Sequence, residues 1–113
     1  MRIAAAYDNK KVSKSFSRTT QFRLYDVRYG KIVRESMLTV AGNDLSALVR
    51  AFDEAEIDIL ICDEIEEEAR ITLILESNIG VYNDCRGPIK KCLRHVIADQ
   101  AKIQRMLKRD ESV

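Results

Sequence analysis

The amino-acid sequence predicts an α/β domain with a five-stranded mixed β-sheet flanked by helices, in the order β-β-β-α-β-α-β-α. Three observations carry that expectation. Two short, almost unbroken apolar runs, at residues 3–7 and 57–62, each lead into an aspartate, as in strands covered by helices on both faces. Two segments rich in aromatic and β-branched residues, 21–27 and 31–40, flank Arg28-Tyr29-Gly30 and read as a hairpin whose glycine admits a positive φ. Three amphipathic stretches then alternate with the remaining apolar runs.

The elements follow in chain order. Residues 3–7 make the first strand and close on Asp8; residues 8–20 read as a long polar loop. After the hairpin, Leu45, Leu48, Val49 and Phe52 fall at i, i+3, i+4 and i+7, one apolar helical face, with Asn43 or Asp44 available as N-cap. Residues 57–62 are a central strand. Ile65, Ala69 and Leu73 mark a second helix behind a dense acidic turn, which suits the helix dipole. Residues 79–82 form a last short strand. The third helix begins at Gly87-Pro88, proline being favoured at the first helical position. Its stripe is Ile89, Leu93, Val96 and Ile97, continuing to Ile103 and Leu107, and Lys102, Arg105, Lys108 and Arg109 favour its C-terminal end. The final residues are expected to fray. A meander followed by α-β units places antiparallel strands at one side of the sheet and parallel strands at the other. Ligands meet such sheets at the carboxyl ends of the parallel strands, here Asp8, Asp63 and the Asn83-Asp84-Cys85 turn.

Composition narrows the function classes. A chain of 113 residues fits one domain. Its 19 basic and 18 acidic side chains nearly cancel, leaving no global field for nucleic acid or an anionic membrane. No apolar run approaches the roughly 20 residues of a membrane helix, and the opening stretch is too short for a secretory signal. Three cysteines, Cys62, Cys85 and Cys92, make no disulfide framework, so a cytoplasmic protein with reduced thiols is expected. There is no phosphate loop, dinucleotide fingerprint or nucleophile–histidine arrangement. The expectation is a binding protein rather than an enzyme.

Three groups of residues have chemistry to offer. The loop 8–20 carries Lys10, Lys11, Lys14 and Arg18 among the hydroxyls of Ser13, Ser15, Ser17, Thr19 and Thr20, suited to an anion held by Arg18 and neighbouring N–H groups. Its plainer reading is a solvated loop pinned by Phe16. Asp8, Asp63 and Glu64 are hard oxygen ligands for Mg²⁺ or Mn²⁺, which opens an alternative as a metal-dependent phosphodiesterase or nuclease; against it, the acids serve equally as a solvated first helical turn. Cys85, Cys92 and His95 offer soft ligands, but their C-x6-C-x2-H spacing matches no standard zinc finger, and a free cysteine more often packs as a small hydrophobe. The basic residues of the third helix lack the aromatic partners that single-stranded nucleic acid needs.

Four stretches resemble the dinitrogenase iron-molybdenum cofactor biosynthesis family: Ile3-Ala4-Ala5-Ala6-Tyr7-Asp8; Val12-Ser13-Lys14-Ser15-Phe16-Ser17-Arg18-Thr19 with Phe22 and Tyr25-Asp26-Val27; Ile57-Asp58-Ile59-Leu60-Ile61-Cys62; and Ile79-Gly80-Val81-Tyr82. The resemblance spans about residues 2 to 98, and its most specific part is the V-S-x-x-F-x-R pattern. It implies a ribonuclease H-like fold and a non-catalytic role carrying iron-sulfur or iron-molybdenum cluster precursors among cofactor-assembly proteins. The implied site comprises Asp8, Ser13, Ser15, Ser17, Arg18, Cys62 and Asp63. This chain departs from the family in having Ser15 where histidine is usual and Ser17 where glycine is usual. An acidic run, residues 63–68, replaces a glycine-rich turn, and residues 41–44 replace a histidine- and glycine-rich loop. A serine hydroxyl is a poorer iron ligand than imidazole. A carboxylate about 4 Å from a negative charge costs roughly 4 kcal/mol at an effective dielectric near 20. A relative that has lost its cluster and kept a protein-interaction role is therefore a further expectation. All of these need the serine loop and the two central strand ends to share one place.

Overall fold

In the computed structural model, which describes residues 1–40 and 44–111, the run Ile3-Ala4-Ala5-Ala6 is wholly buried in strand β1 (Arg2–Asp8). Side chains alternate along a strand, and here both sides are covered: Ala4 and Ala6 join one apolar cluster, Ile3 and Ala5 the other. Antiparallel to β1 lie β2 (Lys11–Val12) and β3 (Gln21–Arg28), and β3 pairs with β4 (Lys31–Thr39). On its other side β1 is parallel to β5 (Ile59–Ile61), which is parallel to β6 (Gly80–Tyr82). The order across the sheet is β4-β3-β1-β5-β6, with β2 attached to β1 off this path.

The expected mixed sheet is present, with one addition. The stretch expected to be a loop contains β2, turned back on β1 through Asn9 and Lys10, both at positive φ (48° and 70°). That is the conformation of a type I′ hairpin turn, which Tyr29 and Gly30 repeat between β3 and β4 (52° and 74°). The glycine announces the second turn; Lys10 gives the first no such signal.

Helix α1 (Leu45–Glu54) is capped by Asp44, whose carboxylate accepts from the Ser46 N–H at 3.0 Å. Asn43, the other candidate cap, lies outside the described residues, as do Ala41 and Gly42. Helix α2 (Glu67–Ser77) ends on Asn78 in the left-handed conformation; it starts two residues after Ile65, which the periodicity had placed within it. Both helices cover one face, α1 with Leu48 and Phe52 and α2 with Leu73, over Phe22, Leu24 and Leu60. Helix α3 (Ile89–Glu111) covers the other through Ile89, Leu93 and Val96, and continues through Ile103 and Leu107 as its stripe implies. Among the described residues, no helix is long and apolar enough to cross a membrane.

Two contacts fasten this arrangement. The Phe52 ring of α1 meets Phe22 edge-on at 5.1 Å, and Phe22 lies 5.9 Å from Phe16, a geometry that aromatic quadrupoles favour. At the amino ends of the strands, Arg2 donates to Asp26 at 2.7 Å and to the Ala55 carbonyl at 2.6 Å, joining β1, β3 and the end of α1. The hydrogen bond from Arg2 holds the Asp26 carboxyl below the ordinary aspartate range.

Phe52→Ala is expected to cost about 3–5 kcal/mol in urea denaturation, since a fully buried ring leaves a cavity that relaxes only in part. The Arg2–Asp26 pair gives a pH signature. A carboxyl whose pKa is lower folded than unfolded stabilises above the unfolded value, about 3.9, and loses that contribution as pH falls through the folded one. Asp26→Asn is therefore expected to lower the Tm at neutral pH by the modest amount typical of a partly exposed pair. The difference from wild type should close as the pH is lowered into the acid range, measured as Tm against pH.

Candidate functional site

The segment after β2 is held over the carboxyl ends of the central strands by backbone hydrogen bonds. Ser13 N–H donates to Ala6 of β1 at 2.9 Å, Phe16 N–H donates to Glu64 at 2.9 Å, and Glu64 N–H donates to Lys14 at 3.0 Å. Ser15 and Glu64 thus pair as a parallel bridge just beyond β5. Phe16 then turns inward through a 3-10 turn (Phe16–Arg18) and is buried. The neighbouring hydroxyls stiffen the loop: Thr19 Oγ1, itself buried, donates to the Ser15 carbonyl at 2.7 Å and lies 2.9 Å from Ser13 Oγ, while the Ser15 and Ser17 hydroxyls are 3.1 Å apart.

The anticipated residues sort into surface and floor. Asp8, Lys14, Ser17 and Arg18 are exposed, and Ser13 and Ser15 are half-buried. Asp63, only 6% exposed, accepts from Arg86 Nε at 3.1 Å. Cys62 is fully buried beneath the loop, and burial pushes its thiol up to about 12. It packs with Phe16, Leu60 and Leu73, and does not open onto a crevice. Cys85 is half-buried, with its thiol pushed up to about 11 first by burial and then by the neighbouring Cys92. The turn after β6 wraps around the β5 end: Cys62 N–H donates to the Tyr82 carbonyl and Cys85 N–H to the Cys62 carbonyl.

Neither candidate ligand set assembles. Among the described residues, no three or more histidine, cysteine, aspartate or glutamate side chains gather closely enough to hold a metal ion. Asp8, Asp63 and Glu64 are thus not brought together as a two-metal site requires, and Cys85, Cys92 and exposed His95 do not converge. Strand periodicity brings an aspartate to each strand end; it does not aim the carboxylates at one another.

Two cavities lie at opposite ends of the sheet. One of about 220 Å³ lies between the 3-10 turn and the starts of α1 and α2, with Phe16, Leu45, Leu48 and Ala69 as apolar lining and Asp44, Glu66 and Glu68 adding carboxylates. A larger one, about 830 Å³, opens at the opposite pole among Arg2, Asp26, Arg34, Glu56 and Asp58. Its charges are of mixed sign and Arg2 is already engaged, so the loop end of the sheet is the better candidate despite the smaller volume. One contributor there went unanticipated, Arg86, whose signal is its place next to the turn 83–85. Thr19, expected as one of the loop's hydroxyls, is buried and serves the loop's own hydrogen bonding.

A basic, hydroxyl-bearing loop clamped across the ends of parallel strands marks the candidate site of this small α/β domain. The family model described as dinitrogenase iron-molybdenum cofactor matches residues 1–99, and the chain belongs to that family. Solved structures share its fold. PH0822 superposes with a TM-score of 0.76 at 22% identity over 88% of this chain and 92% of its own. MJ0327 of Methanocaldococcus jannaschii, provisionally described as a dinitrogenase, gives 0.68 at 21% identity over 88% and 89%. The apo orange protein of Desulfovibrio gigas gives 0.63 at 17% identity over 95% and 87%. No curated protein matches the sequence.

The thiols supply a test of this geometry. At pH 8 a thiol with a pKa of about 11 is ionised in about one molecule in a thousand, and the thiolate is the reactive form. Native protein treated with iodoacetamide should leave Cys62 unlabelled and Cys85 slow, with all three labelled after unfolding, read by peptide mass spectrometry. Stability should also fall as pH rises past about 8.5, where an unfolded thiol ionises while folded Cys62 stays protonated. Cys62→Ala is expected to flatten that alkaline slope.

Proposed function

We propose that this protein is a non-catalytic carrier that binds a preassembled anionic cluster precursor, iron-sulfur or iron-molybdenum, and passes it between cofactor-assembly proteins in the cytoplasm. The observation that carries this reading is the clamped loop, which in a member of this family presents Ser13, Ser15, Ser17 and Arg18 at the ends of β1 and β5. Arg18 and Lys14 supply the positive charge, and serine hydroxyls donate to sulfide or oxide ligands of the cargo. Asp8 and Asp63 border the site, the negative charge of Asp63 being opposed by Arg86. Carboxylates around the cavity beneath Ser17 repel an anion, so the cargo rests on the outer surface of the loop.

Cys62 contributes packing rather than a bond in this reading. A cysteine ligates a cluster as its thiolate, and a buried thiol raised to about 12 is neutral at cellular pH. Cargo held through charge and hydrogen bonds leaves intact, with no iron–cysteine bond to break. The acid-lined cavity favours a second reading, in which the domain has lost the cluster and keeps a protein-binding role.

Anaerobic incubation of the full chain with ferrous iron and sulfide, with and without tetrathiomolybdate, followed by desalting, distinguishes the two. Carriage predicts retained visible charge-transfer absorbance, cut at least several-fold by Arg18→Ala and unchanged by Cys62→Ala. Colourless wild-type protein would leave only the second reading. Colour lost in a folded Cys62→Ala variant would mean attachment through that sulfur, contrary to its fully buried position.

A further inference from the structure

Helix α3 is longer than the body it packs on. Its buried stripe ends at Val96, Tyr82 and Gln100 are hydrogen-bonded at 2.9 Å, and every residue from 101 to 108 is exposed. Those two turns carry Ile103, Met106 and Leu107 at i, i+3 and i+4, which are 40%, 57% and 57% exposed. The same turns bear Lys102, Arg105 and Lys108, and no acid occurs from 100 to 109. A helical extension with an apolar face and nothing to pack on is marginal in water.

The opposite features occur on α2. Ile71, Ile74 and Leu75 repeat the i, i+3, i+4 spacing and are 43%, 37% and 76% exposed. Around them are Glu67, Glu68 and Glu76, with Arg70 the one basic residue of the helix and already bound to Glu67. Helices α2 and α3 lie on opposite faces of the sheet, so the basic extension does not fold back on the acidic face of its own molecule.

We infer that the occupant of each surface is a second copy of this chain: the α3 extension of one protomer docks on the α2 face of the other, reciprocally, in a two-fold dimer. Both helices run from the carboxyl toward the amino ends of the parallel strands, since α2 leads into β6 and α3 leaves it. A two-fold axis in the plane of the sheet, perpendicular to the strands, turns the partner end for end and exchanges its faces. The extension then lies antiparallel to the partner's α2, with its Lys108 end toward Glu67 and Glu68 and its Lys102 end toward Glu76. The contact is closed and used twice, as an isologous interface requires, and antiparallel helix dipoles add to the attraction of the charges.

Sedimentation velocity of the full chain, from micromolar to hundred-micromolar concentration, is the test. The expected species has twice the 13.0 kDa chain mass. Leu107→Glu and Leu75→Lys are each expected to raise the dissociation constant at least tenfold and give monomers with unchanged circular dichroism. Mixing those two variants should restore a dimer, because one intact extension still meets one intact α2 face. A wild-type monomer throughout the range would overturn the inference. So would a dimer that survives Leu107→Glu, variants that fail to complement, or a monomer whose extension binds anionic lipid vesicles instead.

Discussion

A strand sandwiched between two helical layers must leave room for both, and β1 does so with three consecutive alanines. Ala4, Ala5 and Ala6 are fully buried and supply little volume; the bulk comes from the flanking strands, Phe22 and Leu24 on one side and Ile59, Leu60 and Ile61 on the other. Close packing makes such an arrangement intolerant of added methylenes. It also fixes the strand ends from which the candidate site is built. Ser13 hangs from Ala6 and Phe16 from Glu64, three residues past β5, so the loop inherits the rigidity of the core, and its own hydroxyls add to it.

The charges at that end are separated by the sheet. The Asn9-Lys10 turn is fastened to the start of α3, through Ile89 N–H to the Lys10 carbonyl and Val12 N–H to the Gly87 carbonyl. The carboxylates of Asp44, Glu66 and Glu68 gather on the α1 and α2 side. The loop therefore crosses from a basic flank to an acidic one. A near-neutral composition says nothing of this division, because net charge sums what the fold keeps apart.

How far the sequence discloses this structure depends on the range of each interaction. Residues 3–7 and 57–62 read as central strands because the absence of alternation is a local pattern, and both strands form there. The third helix was legible to Leu107 for the same reason. Ile65 has helical spacing with Ala69 and Leu73, but the backbone around Glu64 is used to hold the loop, so α2 begins after an extended Glu66. Likewise β2 is two residues long and takes its partners from β1 and from the segment before α3. The neighbourhood of the serine loop and the strand ends followed from topology. The pairing of Asp63 with Arg86 and the depth of Cys62 did not, since each depends on residues distant in sequence that no local periodicity links.

The fastening of the first hairpin bears on the order in which the chain is completed. Lys10 and Val12 bond to residues 87–89, and Phe16 bonds to Glu64. A nascent polypeptide leaving the ribosome therefore exposes the whole serine segment long before either anchor has been synthesised. Contacts so far apart in sequence close late, and the loop acquires its shape only when the last quarter of the protein emerges. A messenger truncated before that point yields β1 and the β3–β4 hairpin without the surface they are meant to display.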